Sequence, residues 1–406
     1  MTVYIQLTTA GTSLVSCGVY SNVDIPPYSV LHDTILVANL ITGVNVTVPN
    51  GTTIVRLIDT GVCGNSIDIE ITSGSGNILY INNTSHTIQL YNSTLNFVST
   101  INSSIPVQNF NQLSFNNEYQ NVCLCSLNVT NVYVYKSDNQ GNTFNQLTTL
   151  GAKTLLNFTI DKFLAKYLYI GINQYSTPPF GGEDYLLMSN NSGSTFTTIS
   201  NSFIGRNGGI LKGSPNNSFK SSLSYDGKYV LVQCQFQNGT QQYFSYMFSN
   251  NYGVTWNDIT QTIIGGVSTG ISQFINSRAV ISGNGQYMYI LNNSGYYYKS
   301  DSYGVTWTRK FPAVMPYSTN EMLKCSLDGK FVVAVSYNLS NIFVSSDYGE
   351  TFTNTTLSTQ LFHMSMSNSG KYIYVEKVNT SRYISTNYGV TFNTYSNSLT
   401  NGEIVD

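Results

Sequence analysis

Charge is what this sequence has least of. Lys, Arg, Asp and Glu make up 9% of its 406 residues, 18 basic against 20 acidic, for a formal net charge of −2. No basic patch long enough to track a phosphate backbone can be assembled from that, and no acidic tail, so nucleic acid is excluded as a charge-driven partner. The three histidines, His32, His86 and His363, are scattered and suggest no site. Six cysteines in so long a chain are not a disulfide framework. Cys17 and Cys63 could pair inside a first domain; Cys123 and Cys125 lack a second pair or a nearby histidine and do not read as zinc ligands. No run of 18 apolar residues exists, so no helical membrane span is expected. Met1 passes directly into Thr2-Val3-Tyr4-Ile5-Gln6-Leu7 without a basic segment or an apolar core, so no secretory leader is expected.

Apolar residues, at 41%, and aromatics, at 13%, are enough to fill a core and speak against disorder. A surface covered by Asn, Ser, Thr, Gln and Tyr instead of charge suits extracellular, virion-surface or self-associating proteins. Sequons such as Asn45, Asn92, Asn128, Asn238 and Asn379 are no more frequent than this composition produces by chance. The 31 tyrosines suit strands, and also sugar stacking or subunit contacts.

One octapeptide, S-x-[DNS]-x-G-x-T-[FW], recurs six times: Ser137 to Phe144, Ser189 to Phe196, Ser249 to Trp256, Ser300 to Trp307, Ser345 to Phe352 and Ser385 to Phe392. Gly141, Gly193, Gly253, Gly304, Gly349 and Gly389 stand where a tight hairpin needs positive φ. Asn139, Asn191, Asn251, Ser302, Asp347 and Asn387 stand where a side chain can accept turn N–H groups. Phe144, Phe196, Trp256, Trp307, Phe352 and Phe392 open the next strand as wedges between sheets. Five of the six copies lack Asp at the acidic position, which argues against a calcium loop. No metal and no cofactor is called for.

The octapeptide resembles the Asp-box of sialidase- and sortilin-like β-propellers, over about residues 105–406. Its spacing, about 40 to 60 residues, is that of one four-stranded blade. The resemblance implies an all-β chain: a six-bladed β-propeller at 105–406, preceded at 1–104 by a small β-sandwich-like assembly domain. That first part shows short alternating strands between turn clusters and loosely resembles β-rich modules of phage and giant-virus fibre proteins. In it Val3, Ile5 and Leu7 alternate with polar residues. Two readings stay open: an edge strand of its own domain, or a strand donated to a neighbouring subunit.

In a propeller the octapeptides crowd one face, so binding is sought on the other, in the insertions at 173–184 and 200–217. Glu183, Asp184, Arg206, Arg278 and Arg382 are the candidates there for a sialidase-type site. Glu183 and Asp184 are sequence neighbours and make a poor opposed pair on an extended chain. The reading is therefore a non-catalytic structural or adhesive protein of the extracellular space or a virion surface, self-associating into a fibre or filament. A sialidase-type glycoside hydrolase and a glycan- or receptor-binding lectin are the alternatives.

Overall fold

A computed structural model describes residues 2–5, 16–22, 24, 28–36, 39, 44–49, 54–59, 66–70, 77–82, 87–91, 97–102, 110–115, 122–127, 131–139, 143–150, 153–161, 165–174, 183–200, 203, 210–211, 219–238, 241–264, 277–292, 297–310, 321–336, 341–357, 361–377, 381–396 and 403–405. Over these the protein is all β, with antiparallel strands throughout and a short helix at Thr260–Ile264. It divides into two units, Met1–Ser75 and Gly76–Asp406.

In the smaller unit one sheet runs in the order Asp33–Leu36, Ser16–Ser21, Ile54–Asp59, Ser66–Glu70. Cys17 and Val19 on one central strand, and Val55 and Leu57 on the other, are buried with Ile35, a period of two that puts one side of each strand in the core. Buried Asp24 holds the adjoining turn, accepting from the Ser21 and Val30 amides and pairing with His32 at 2.6 Å. Thr2–Ile5, the strand with two open readings, pairs antiparallel with Val44–Thr47 of the same unit, Val3 facing Val46 and Ile5 facing Val44. Leu7 lies outside the described residues.

In the larger unit each octapeptide closes one antiparallel sheet of the β-propeller kind. The first sheet is Phe110–Phe115, Val122–Leu127, Val132–Ser137, Asn145–Leu150; the second is Lys153–Ile160, Leu168–Gln174, Glu183–Ser189, Thr197–Thr198. The third is Phe219–Leu223, Val230–Asn238, Gln241–Ser249, Asn257–Asp258, with Ile210–Leu211 also on its second strand. The fourth is Arg278–Ile281, Met288–Leu291, Tyr297–Ser300, Thr308–Lys310; the fifth is Glu321–Cys325, Val332–Ser336, Asn341–Ser345, Thr353–Thr356. The sixth is Leu361–Met366, Ile373–Lys377, Ser381–Ser385, Asn393–Ser396. Their leading strands lie beside one another in series.

A seventh sheet has no octapeptide. Glu403–Val405 takes its leading place, followed by Asn77–Asn82, Thr87–Tyr91 and Phe97–Asn102. The sequence reading drew the domain boundary at 104/105 and counted one sheet per octapeptide. The structure draws the boundary after Ser75, because Ile404 pairs with Ile78, and Ile78 packs with Tyr374 and Ile384 of the sixth sheet. Three strands assigned to the first domain thus belong to the second.

Candidate functional site

The octapeptide's first serine organises its turn. Ser345 Oγ accepts the amides of Asp347 at 3.3 Å and Gly349 at 2.9 Å and donates to Asp347 Oδ1 at 2.7 Å. Ser189, Ser249 and Ser385 do the same for Gly193, Gly253 and Gly389. The third residue accepts the threonine amide: Asn191 from Thr195, Asn251 from Thr255, Asp347 from Thr351 and Asn387 from Thr391. One bond reverses with the residue type. The asparagines donate Nδ2 to the threonine hydroxyl, whereas the Thr351 hydroxyl donates to Asp347 Oδ2. Burial raises the Asp347 carboxyl, but the bonds from Thr351, Ser345 and Glu350 outweigh it and leave it below its ordinary value. Gly141 lies outside the described residues; Ser137 and Asn139 bond each other, and Asn139 Oδ1 accepts the Thr143 amide. Phe144 is half-buried after them.

The closing aromatics pack against the preceding sheet. Trp256 lies edge-on to Tyr169, centroids 6.4 Å apart, and Phe352 to Tyr297 at 5.2 Å, while Phe196, Trp307 and Phe392 join the buried clusters that hold Cys123 and Val134, Leu231 and Phe248, and Val333 and Ile342 of the preceding sheets. Trp256 and Trp307 also donate Nε1 to the carbonyls of Gly253 and Gly304.

Two devices were not read from the sequence. The first is a second serine turn, joining strands one and two of the third to sixth sheets: Ser224, Ser282, Ser326 and Ser367, each two residues before Asp226, Asn284, Asp328 or Ser369. Ser224 Oγ donates to Asp226 Oδ1 at 2.8 Å and accepts the Tyr229 amide at 2.9 Å, and the other three repeat the pattern. The residue after each serine then bonds the next sheet through its backbone. Tyr225 N donates to Gly283 O at 2.8 Å, Gly283 N to Leu327 O at 2.6 Å, and Leu327 N to Asn368 O at 2.7 Å. The second device is a tyrosine clasp. Tyr252, Tyr303, Tyr348 and Tyr388 precede the octapeptide glycine with φ of 61°, 57°, 60° and 60°. They stack on Tyr167, Tyr229, Tyr287 and Phe331 of the preceding sheet, with centroids 5.1, 5.5, 4.7 and 4.4 Å apart. The repeated Tyr-Gly dipeptide was the available signal.

Three of the sialidase-type candidates reach corresponding ends of their sheets. Glu183 and Arg278 each begin a strand, and Arg382 is second in Ser381–Ser385, so all three lie at strand ends remote from the turns. They belong to the second, fourth and sixth sheets. Glu183 is registered with Gln174 and Asp184 with Asn173, in successive pairs of the ladder. Arg206 and residues 175–182 and 212–218 lie outside the described residues. Arg382 is 2% exposed and sits across from Glu376, itself fully buried, whose Oε1 accepts from the Tyr374 hydroxyl at 2.8 Å. Burial, with the Glu376 carboxylate beside it, pushes that hydroxyl well up. Arg278 is half-buried, and Lys220 Nζ reaches the carbonyl of its neighbour Ser277 at 3.5 Å.

Other charges bridge sheets. Glu350 ties Lys299 at 2.5 Å and Lys310 at 2.7 Å, and the two ammonium groups, Lys299 first, hold its carboxyl below the usual range. Among the described residues no group of three or more His, Cys, Asp or Glu is placed to hold a metal ion, and no helix is long and apolar enough to cross a membrane.

No protein-family model matches the sequence, and no curated protein matches it. Among solved structures the chain is similar to the Niastella koreensis GH74 enzyme, at 13% identity and a TM-score of 0.33, over 84% of this chain and 67% of that one. It is also similar to a structure from a study of two prolyl endopeptidases, at 10% identity and a TM-score of 0.49, over 72% of this chain and 43% of that one.

Proposed function

We propose that this chain is a non-catalytic structural or adhesive protein of the extracellular space or a virion surface, self-associating and displaying an Asp-box β-propeller head. In this reading the octapeptides are Asp-boxes acting as staples, and the sheet completed by Glu403–Val405 closes the ring. The supporting observation is where the carboxylates go. Asp24, Asp161, Asp226, Asp258, Asp328 and Asp347 each accept backbone amides of the turn they occupy. Glu350 and Glu376 bond neighbouring side chains of the scaffold. A glycosidase generally needs two carboxylates facing each other across the scissile bond, and Glu183 and Asp184 occupy successive positions of one strand. Light scattering and electron microscopy of the purified chain test the proposal: concentration-dependent assemblies are expected, and a monomer at all concentrations overturns it.

A sialidase-type hydrolase is the second reading. What favours it is that Glu183, Arg278 and Arg382 come to the same ends of their sheets. Turnover of any fluorogenic glycoside, abolished by Glu183→Ala, would establish it; binding on a glycan array without turnover would instead make the same face a lectin site.

A further inference from the structure

Tyrosine is the readily oxidised side chain that this protein has most of: 31, against six cysteines, eight methionines and two tryptophans. Among the described residues three clasps set tyrosine on tyrosine across neighbouring sheets: Tyr167 with Tyr252, Tyr229 with Tyr303, and Tyr287 with Tyr348. Their interplanar angles are 23°, 33° and 30°. All six side chains are half-buried, so each is held by its turn and still meets solvent. A lysine ammonium stands over the first tyrosine of each pair, at 5.2, 5.3 and 5.9 Å from the centroid. Two further stacks serve as contrasts. The fourth clasp, Phe331 with Tyr388, has the same form with one phenol missing. Tyr289 and Tyr297 stack at 5.9 Å but are fully buried.

We propose that the three tyrosine clasps are sites of oxidative coupling, where a one-electron oxidant of the peroxidase class joins the paired rings as dityrosine and so links the second to fifth sheets covalently. Each phenol gives up one electron and its proton. Burial holds the Tyr252, Tyr287 and Tyr303 hydroxyls above their ordinary value, so that proton is present at neutral pH. The lysine opposes positive charge on the aromatic ring, so the proton leaves with the electron. The two radicals form one carbon–carbon bond between positions ortho to the hydroxyls, and the hydrogens at those two carbons move to the oxygens, restoring both phenols. One hydrogen peroxide takes up the two electrons and two protons as two waters, and the pair ends two hydrogens lighter. The new bond lies in the planes of both rings, so one of them must swing about its side-chain torsions; a half-exposed side chain has that freedom, and the close-packed Tyr289 and Tyr297 do not. The clasp keeps the second radical at an effective concentration on the order of millimolar or more, well above that of another molecule in dilute solution.

Treating the full chain in dilute solution with a haem peroxidase and hydrogen peroxide tests this, read by dityrosine fluorescence and by mass spectrometry of the digested protein. The expected product is a monomer with Tyr167–Tyr252, Tyr229–Tyr303 and Tyr287–Tyr348 links, each at least about tenfold above any other tyrosine pair. Its thermal midpoint should rise, because the unfolded chain then carries loops already closed. Tyr303→Phe keeps the stack and should lose the link to Tyr229 alone. Phe331→Tyr should gain a fourth link, to Tyr388. Absence of linked peptides from the oxidised parent overturns the proposal, as do links scattered over other tyrosines or formed between molecules. A Phe331→Tyr chain that keeps the parent's thermal midpoint yet gains no link overturns the clasp as the determinant.

Discussion

The octapeptide tyrosines hold a backbone conformation that a side chain normally disfavours by roughly 1–2 kcal/mol. Each ring stack returns about 0.5–1.5 kcal/mol beyond its burial, so strain and clasp nearly balance, and the stack keeps the turn against the sheet before it. Tyr388→Ala keeps the strain and loses Phe331, and chemical denaturation should show a loss of about 1–3 kcal/mol. Tyr388→Gly relieves the strain and should fall between Tyr and Ala. Asp347→Asn is expected to change little at neutral pH, since its counterparts Asn191, Asn251 and Asn387 build the same turn. The Asp347 carboxyl is depressed in the folded chain, so its contribution is complete above its unfolded value of 3.8 and lost as pH falls through the lower folded value. The asparagine variant should therefore lose less stability than the parent when acid unfolding is compared below that pH. Burial pushes the Cys123 thiol up to about 12, so a thiol reagent should leave it unmodified until the protein unfolds. The glycines and their polar partners were readable in the sequence because each serves a local bond. The tyrosines were not, since their partner lies in another sheet and their conformation runs against residue preference.

Within a sheet, the two turns at one end share a logic: a serine hydroxyl takes the amides that the reversal leaves unsatisfied. The octapeptide turn also binds the first turn, Tyr252 N donating to Lys228 O and Tyr348 N to Lys330 O. Gly253 shows how little room is left. Its φ is 77°, and a Cβ there would stand 2.6 Å from Tyr169 Oη and 2.7 Å from Met188 Sδ. Gly253→Ala should cost about 2–4 kcal/mol from strain and overpacking together. Val254→Ala, next to it and 76% exposed, should stay within about 0.5 kcal/mol. Strand repeats and octapeptides were legible because both are local patterns. The serine of the first turn was overlooked because Asp226-Gly227 and Asn284-Gly285 already explain a turn without it. Arg382 reads as a surface cation in the sequence until Glu376 is seen opposite.

For the larger unit as a whole, the least legible element was the seventh sheet. Its strands Asn77–Asn82 and Glu403–Val405 come from the two ends of the unit, and no local pattern announces that they meet. Removing residues 403–406 should lower the thermal midpoint by several degrees and expose Ile78, whereas removing 1–75 should leave the larger unit folded, because the two units have separate cores. Calorimetry on the two truncations distinguishes these outcomes.

The same pairing sets a timetable for synthesis. Leu79 leaves the ribosome more than 300 residues before its partner Glu403, an interval on the order of tens of seconds at ordinary elongation rates. Throughout that wait Asn77–Asn82 is without its neighbour and carries no charge to repel other nascent chains. Such long-range pairing is also intrinsically slow to form. The yield of native protein should therefore depend on how long that strand stays bare, rising at low temperature or low expression, before any property of the finished molecule comes into play.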